Sequence, residues 1–207
     1  MNNSRKAHWD KIYATKTPGE VSWTQETPVT SLAFIHSFNL DPNASIIDVG
    51  GGESQLVDRL LEEGFDDVTV LDISERAIEH SKWRLGKSAD QVTWVTSDIL
   101  EFESNKKFDV WHDRATFHFL TTTEEIERYV EIVKGHIKAN GFLVMSTFSE
   151  DGPTKCSGLE VKQYSETSLE EQLGHDFVKI RCLKEDHQTP FKTMQNFLFC
   201  AFRRSVD

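Results

Sequence analysis

Past Pro42 the apolar positions alternate between short unbroken runs and spaced stripes. Ser45–Val49, Val68–Leu71, Val92–Val95 and Phe108–His112 are brief apolar runs bounded by turn residues, which predicts strands. Between them, residues 53–63 carry Leu56, Leu60 and Leu61 at helical spacing, and Ser74 is placed to cap a helix reaching about Leu85. The crossover near 99–106 is short or irregular. Ile126, Tyr129, Val130, Val133 and Ile137 share one face of a helix predicted over 122–139, which Asn140-Gly141 ends before the apolar strand Phe142–Phe148. A short helix near 168–173 precedes two consecutive strands, 176–185 and 194–203. Alternating strands and helices imply a parallel sheet covered on both faces, and right-handed crossovers make it doubly wound. Two strands without a helix between them pair as a hairpin. The expected class is therefore α/β: seven strands, mainly parallel, ending in an antiparallel pair.

Ahead of this core, residues 4–14 read as a helix with His8, Trp9, Ile12 and Tyr13 on one stripe. Thr15–Gly19 breaks it, and Pro28 opens a second helix through Phe38 from the favoured first-turn position. The expectation is one domain, with residues 1–40 as a helical cap or lid and 41–207 as the core. A chain of 207 residues, 38% hydrophobic and 28% charged, suffices for one such domain. Its longest apolar runs, Phe142–Met145 and Phe197–Phe202, are too short to span a bilayer. Met1–Asp10 lacks the apolar core of a secretory signal, so a cytoplasmic protein without a membrane partner is expected.

Charge narrows the partners. The formal net charge is −11, and so acidic a surface repels phosphate backbones, which argues against nucleic acid. Three widely spaced cysteines without a C-x-x-C pair argue against a disulfide framework or structural zinc. Cys182 and Cys200 fall in apolar alternation and read as core residues, whereas Cys156 lies in a loop. The eight histidines show no metal-ligand spacing.

Candidate chemistry sits at successive strand ends. Asp48-Val-Gly-Gly-Gly-Glu-Ser54 follows the first strand and opens a helix; Gly50 and Gly52 allow a tight turn and close approach of a ligand. An acid before the glycines would repel a pyrophosphate but suits a cationic amino acid ligand. Asp72 ends the second strand, where its carboxylate can accept both hydroxyls of a ribose. Asp98 follows the third; it can accept the exocyclic amine of adenine, with Ile73 or Ile99 packing the ring. Taken singly, each acid reads as a helix cap or a solvated turn; three at successive strand ends are harder to obtain by chance.

On these residues the sequence resembles class I, Rossmann-like S-adenosylmethionine-dependent methyltransferases over roughly residues 5–203. The resemblance rests on Asp48, Gly50, Gly52, Asp72, Asp98 and the closing hairpin, with Ser54 replacing a usual third glycine. It implies S-adenosylmethionine as cofactor, with Gly50 and Gly52 cradling the methionine part, Asp72 holding the ribose and Asp98 reaching adenine.

The acceptor side is expected at Trp111–Phe119, the end of the fourth strand. The stretch lacks the N-P-P-Y/F and D-P-P-Y tetrapeptides of base and glutamine methylases. Asp113-Arg114-Ala115 resembles the D-R-[AG] segment of the thiopurine and small-molecule thiol methyltransferase group, whose N-terminal W-x-x-x-[WY] helix and following aromatic match Trp9, Tyr13 and Trp23. It resembles less closely the D-K-G-T-[LFW]-D segment of seven-strand protein lysine methyltransferases. The expected activity is methyl transfer to a small molecule, a thiol or other soft nucleophile by preference, with a protein lysine as the alternative. His112 and His118 are either general bases or structural histidines. Asp113 orients the methionine ammonium or the acceptor. Arg114 either pairs with an anionic acceptor or holds Asp113. Trp23 is a lid over the sulfonium or a buried aromatic, and Phe117 and Cys156 are candidate acceptor contacts. A non-catalytic cofactor sensor is a third reading, against which the polar His112–His118 segment argues. His187–Pro190 reads as a plain hairpin turn.

Overall fold

The computed structural model describes residues 3–206; Met1, Asn2 and Asp207 lie outside the described residues. The chain runs α1 (Asn3–Thr15), α2 (Val29–His36), β1 (Ile46–Val49), α3 (Leu56–Glu62), β2 (Val68–Asp72), α4 (Glu75–Leu85), β3 (Val92–Thr96), β4 (Phe108–Arg114), α5 (Thr123–His136), β5 (Ile137–Phe148), β6 (Lys155–Cys156), β7 (Leu159–Glu160), α6 (Glu166–Leu173), β8 (Phe177–Gln188) and β9 (Met194–Arg204). The main sheet has seven strands in the order β3-β2-β1-β4-β5-β9-β8. The first five are mutually parallel, and β9 runs antiparallel to both β5 and β8. This is the expected doubly wound sheet with its closing hairpin. The crossover between β3 and β4 is a single 3-10 turn, Ile99–Glu101.

The alternation of side chains along each strand divides the core into two layers. Ile47, Val49, Trp111, Leu143 and Met145 face α5 and α6, where Tyr129, Val133 and Leu169 pack. Ile46, Val110 and Val144 face α2 and α3, against Phe34, Ile35 and Leu60. Ser74 caps α4 as expected, accepting a hydrogen bond from the Ala77 amide.

Several boundaries differ from expectation. Pro28 stands just before α2 rather than inside its first turn, and the helix ends at His36. The predicted helix over 122–139 ends at His136, because Ile137 already pairs with Phe108 in the sheet. Asn140, at φ 64, and Gly141 then form a bulge before Phe142 pairs with Val110, so they interrupt a strand rather than end a helix. The cysteine reading is corrected too. Cys182 and Cys200 lie directly opposite each other in the β8–β9 register and form a disulfide, leaving Cys156 as the free thiol. Sequence spacing of 18 gave no hint of that opposition. No helix among the described residues is long and apolar enough to cross a membrane.

Candidate active site

The carboxyl ends of β1 to β4 open into one pocket, roofed by α1 and the 18–28 segment and walled on its far side by β9. The loop after β1 forms its floor. Gly50 adopts φ 68, and a Cβ there would meet the Thr116 side chain. A Cβ on Gly52 would stand 2.6 Å from Asp72 Oδ2 and 2.9 Å from Ala77 Cβ. Both positions therefore exclude every side chain. Ser54 supports the turn: its hydroxyl accepts from the Leu56 amide at 3.1 Å, starting α3. Arg84 ties down the same loop, donating to the Ser54 carbonyl at 2.8 Å and the Glu53 carbonyl at 3.1 Å while paired with Asp58.

Asp48, Asp72 and Asp98 all line this pocket and are nearly inaccessible to solvent. Asp48 Oδ1 is held by His112 Nδ1 at 2.7 Å, while Asp48 Oδ2 is buried without a partner. An orphaned carboxylate oxygen of this kind calls for a cationic or donating ligand group. Asp72 Oδ1 accepts from the Ser74 amide at 2.7 Å. Burial pushes the Asp72 carboxyl up to about 7, against the pull of amide hydrogen bonds from Ser74 and Gly52 and with added repulsion from Asp48 and Asp10. Asp98 has two attachments: Oδ1 caps the following turn at the Leu100 amide, 2.9 Å, and Oδ2 pairs with Arg5 of α1 at 3.3 Å. Ile73 and Ile99 line the same end. Gly52 itself does not line the pocket and makes room for Asp72 and Ala77; the unsatisfied Asp48 oxygen, the bare backbone at Gly50, and acids at three strand ends fit an amino acid joined to a nucleoside, as in S-adenosylmethionine.

The acceptor-side expectations divide by strand alternation. Along β4, His112 and Arg114 point to one face and Asp113 to the other. His112 stands opposite Asp48 in the β1–β4 register. Its Nε2 contacts Ser31 Oγ at 2.9 Å, so both ring nitrogens are engaged. It does not line the pocket, and the base role is corrected to that of an orienting group for Asp48. Asp113 is fully buried on the opposite face. It accepts from the Thr116 and Phe117 amides at 2.8 and 3.2 Å and from the Tyr129 hydroxyl at 2.5 Å. Burial pushes its carboxyl up to about 6. Asp113 thus fixes the turn after β4 and contacts neither cofactor pocket nor acceptor space. Phe117 is corrected likewise: it packs on Tyr129 and Tyr164 in the core. Ala115 takes φ 71, a left-handed conformation at the centre of this turn.

Arg114, His118, Trp23 and Cys156 do line the pocket. Arg114 does not hold Asp113; its Nη2 donates to the Trp23 carbonyl at 2.6 Å. His118 is fully buried, and burial pushes its imidazole down to about 3, so the ring is neutral. Its Nδ1 accepts from the Phe148 amide at 3.3 Å, and its Nε2 has no partner. Burial pushes the Cys156 thiol up to about 11, which makes it a poor nucleophile. Trp23 meets Trp9 edge-on at 5.7 Å between centroids, and Trp9 meets Phe119 at 5.1 Å, so one aromatic cluster closes the roof.

Further lining residues come from parts of the chain that gave no local signal. Phe197 and Gln195 come from β9, and Phe148 from the end of β5. The β8–β9 hairpin extends past the sheet and clasps the roof: His187 Nε2 contacts the Ser22 carbonyl at 2.7 Å, and Gln195 reaches Ser22 Oγ at 3.3 Å. His187 is therefore a strand residue with a contact to the roof rather than part of a plain turn. Among the described residues no group of three or more His, Cys, Asp or Glu side chains is placed to hold a metal ion.

Residues 47–143 match the sequence model of a family described as a methyltransferase domain. EEF1A lysine methyltransferase 2 of Danio rerio is 24% identical over 157 residues, covering 69% of this chain and 67% of that protein. Ubiquinone biosynthesis O-methyltransferase of Rickettsia felis is 28% identical over 119 residues, covering 58% of this chain but only 47% of the relative. The fold matches that of the Burkholderia thailandensis 1,6-didemethyltoxoflavin-N1-methyltransferase, solved with 1,6-didemethyltoxoflavin and S-adenosylhomocysteine bound. The TM-score is 0.70 at 19% identity, over 98% of this chain and 85% of that one. Residues 47–143 thus resemble a methyltransferase domain, and the chain has the Rossmann-like fold of the methyltransferase structures it resembles.

Proposed function

We propose that this domain takes a methyl group from S-adenosylmethionine and delivers it to a small-molecule acceptor bound beneath the aromatic roof. The observation that carries the reading is a single pocket holding the three strand-end acids together with Arg114, His118 and Phe119. Asp48 Oδ2 receives the methionine ammonium, Asp72 the ribose hydroxyls, and Asp98 the adenine end, between Ile73 and Ile99. When bound, the cofactor would supply a sulfonium methyl open to in-line attack by an acceptor's lone pair, the carbon–sulfur bonding electrons leaving with S-adenosylhomocysteine. The chain's own contribution is alignment and exclusion of water: Trp9, Trp23 and Phe119 close over the pocket, and the β8–β9 hairpin holds the roof through Ser22.

None of the residues expected as a base is poised to take a proton. His112 and Asp113 are fully engaged, and His118 Nδ1 already accepts the Phe148 amide. An acceptor that arrives deprotonated near neutral pH suits such a site, which favours a thiolate or other soft nucleophile. Release of S-adenosylhomocysteine with a panel of small aromatic and aliphatic thiols is the test; turnover supports the reading, and inactivity across thiols and amines together removes it. The likeness to the zebrafish lysine methyltransferase supports a second reading, a protein lysine acceptor. Labelled cofactor incubated with a proteome extract should then mark a discrete band, and its absence would count against this.

A further inference from the structure

Two donors in the pocket stand out: Arg114, a cation with no close carboxylate among the described residues, and His118, whose Nε2 is buried without a partner. Arg114 reaches the pocket at the end of β4, where its one hydrogen bond among the described residues goes to the neutral Trp23 carbonyl. Among those residues no carboxylate comes within 4.0 Å of the guanidinium, although Asp48 and Glu185 act on it from farther away. Burial pulls the Arg114 pKa down, as expected for a cation whose desolvation has no close compensation. The second donor is His118. Since Nδ1 accepts from the Phe148 amide, the proton of the neutral ring resides on Nε2, and that N–H is buried and unpartnered. Native interiors rarely leave such a donor unmet, because its desolvation is not repaid. Around both donors the walls are flat and apolar, formed by Trp23, Phe119 and Phe148.

We propose that Arg114 and His118 together anchor the methyl acceptor through an anionic group, so that the acceptor is a planar apolar molecule bearing a carboxylate. The guanidinium supplies charge and a fork of donors, while His118 Nε2–H adds one directed neutral hydrogen bond. His118 is then a positioning group rather than a general base. The inference rests on the small-molecule reading above and specifies the acceptor at that same site.

The test compares 4-mercaptobenzoate with its methyl ester, which removes the charge and keeps the thiol and ring. Calorimetry with S-adenosylhomocysteine present reads binding, and S-adenosylhomocysteine release reads turnover. The carboxylate should bind at least tenfold tighter than the ester. Arg114→Met should erase that preference, and Arg114→Lys should retain part of it. His118→Phe should raise KM several-fold with little change in kcat, His118→Asn should restore part of the loss, and the pH profile should show no imidazole inflection. Equal binding of the two probes, a preference that survives Arg114→Met, or no binding of either probe overturns the inference. Arg114-dependent binding of the carboxylate, with inactivity across the thiol and amine panel, leaves the anchor standing and removes the small-molecule reading. Equal methylation of both does the reverse.

Discussion

Asp72 is the residue whose environment departs most usefully from the ordinary. Burial raises its carboxyl to about 7, so near neutral pH the free protein holds it partly protonated. A ribose would donate two hydroxyls to the ionised form, and cofactor binding should therefore release a proton. The sign follows: below pH 7 binding must first strip that proton, and affinity for S-adenosylmethionine should fall by up to about tenfold per pH unit. Calorimetry at pH 6 and pH 8, in buffers of differing ionisation enthalpy, measures both the loss and the proton. Asp72→Asn should bind weakly and without pH dependence; a native affinity that is flat across this range would refute the assignment. His118 offers a stability test. Its folded pKa is depressed by burial, so the unfolded chain binds the proton first and the folded state loses stability as pH falls through 6.5. Between pH 8 and pH 5 that loss is about 2 kcal/mol, and His118→Gln removes it. The destabilisation caused by His118→Gln should thus shrink by about that amount at pH 5 in paired urea titrations. An unchanged difference would mean that the ring is solvated in the folded protein.

Strands and their registers explain what was legible in the sequence and what was not. The β-α order, Asp48, the glycines, Asp72 and Asp98 are local signals: each depends on a residue type at a strand end, and alternation places all of them at one edge. Which face His112, Asp113 and Arg114 occupy follows from period-2 alternation, but which face is pocket depends on packing across the sheet. Asp113 reads as a site residue from its motif and is in fact the anchor of a buried turn, bonded to Tyr129 sixteen positions on. Contacts between distant segments leave no trace in spacing: Gln195 and Phe197 reach the pocket because the closing hairpin overshoots the sheet. The Cys182–Cys200 disulfide belongs to the same class, since only the β8–β9 register brings the two together. Closing a loop of this length restricts the unfolded chain and stabilises the fold by about 3 kcal/mol. Reduction should lower the denaturation midpoint accordingly. Thiol titration of the denatured chain should rise from the one of Cys156 to three. If the untreated protein already titrates three thiols, the pair is not formed in it.

At the scale of the molecule, α1 stands apart from the fold it covers. Neither core layer includes a residue of α1, and the helix is attached instead by ion pairs, a hydrogen bond and the aromatic cluster of the roof. Arg5 pairs with Asp98 and Glu125, Asp10 accepts from Ser74 at 2.7 Å, and Tyr13 and Trp9 supply the aromatic contact to Trp23. These contacts tie α1 to the ends of β3, α4 and α5, which surround the proposed nucleoside end of the pocket. The Arg5 pairs are partly buried and join the helix to strand and helix ends rather than one strand to another, so the sheet does not depend on them. Their consequence is for the ligand: without α1 the pocket loses one wall, and Asp98 loses the charge that shares it. Removing residues 1–15 should leave the cooperative unfolding of the sheet in place, with a fall of only a few degrees in Tm. Affinity for S-adenosylmethionine should drop by tenfold or more, and hydrogen exchange in α1 of the full chain should slow when the cofactor is added. Arg5→Ala isolates the electrostatic part; its effect should be smaller than that of the truncation and, because the pair with Asp98 is partly buried, should change little in 0.5 M salt. Undiminished binding by the truncated chain would make α1 an ornament of the fold and would move the closure of the site to the 18–28 segment and the β8–β9 hairpin.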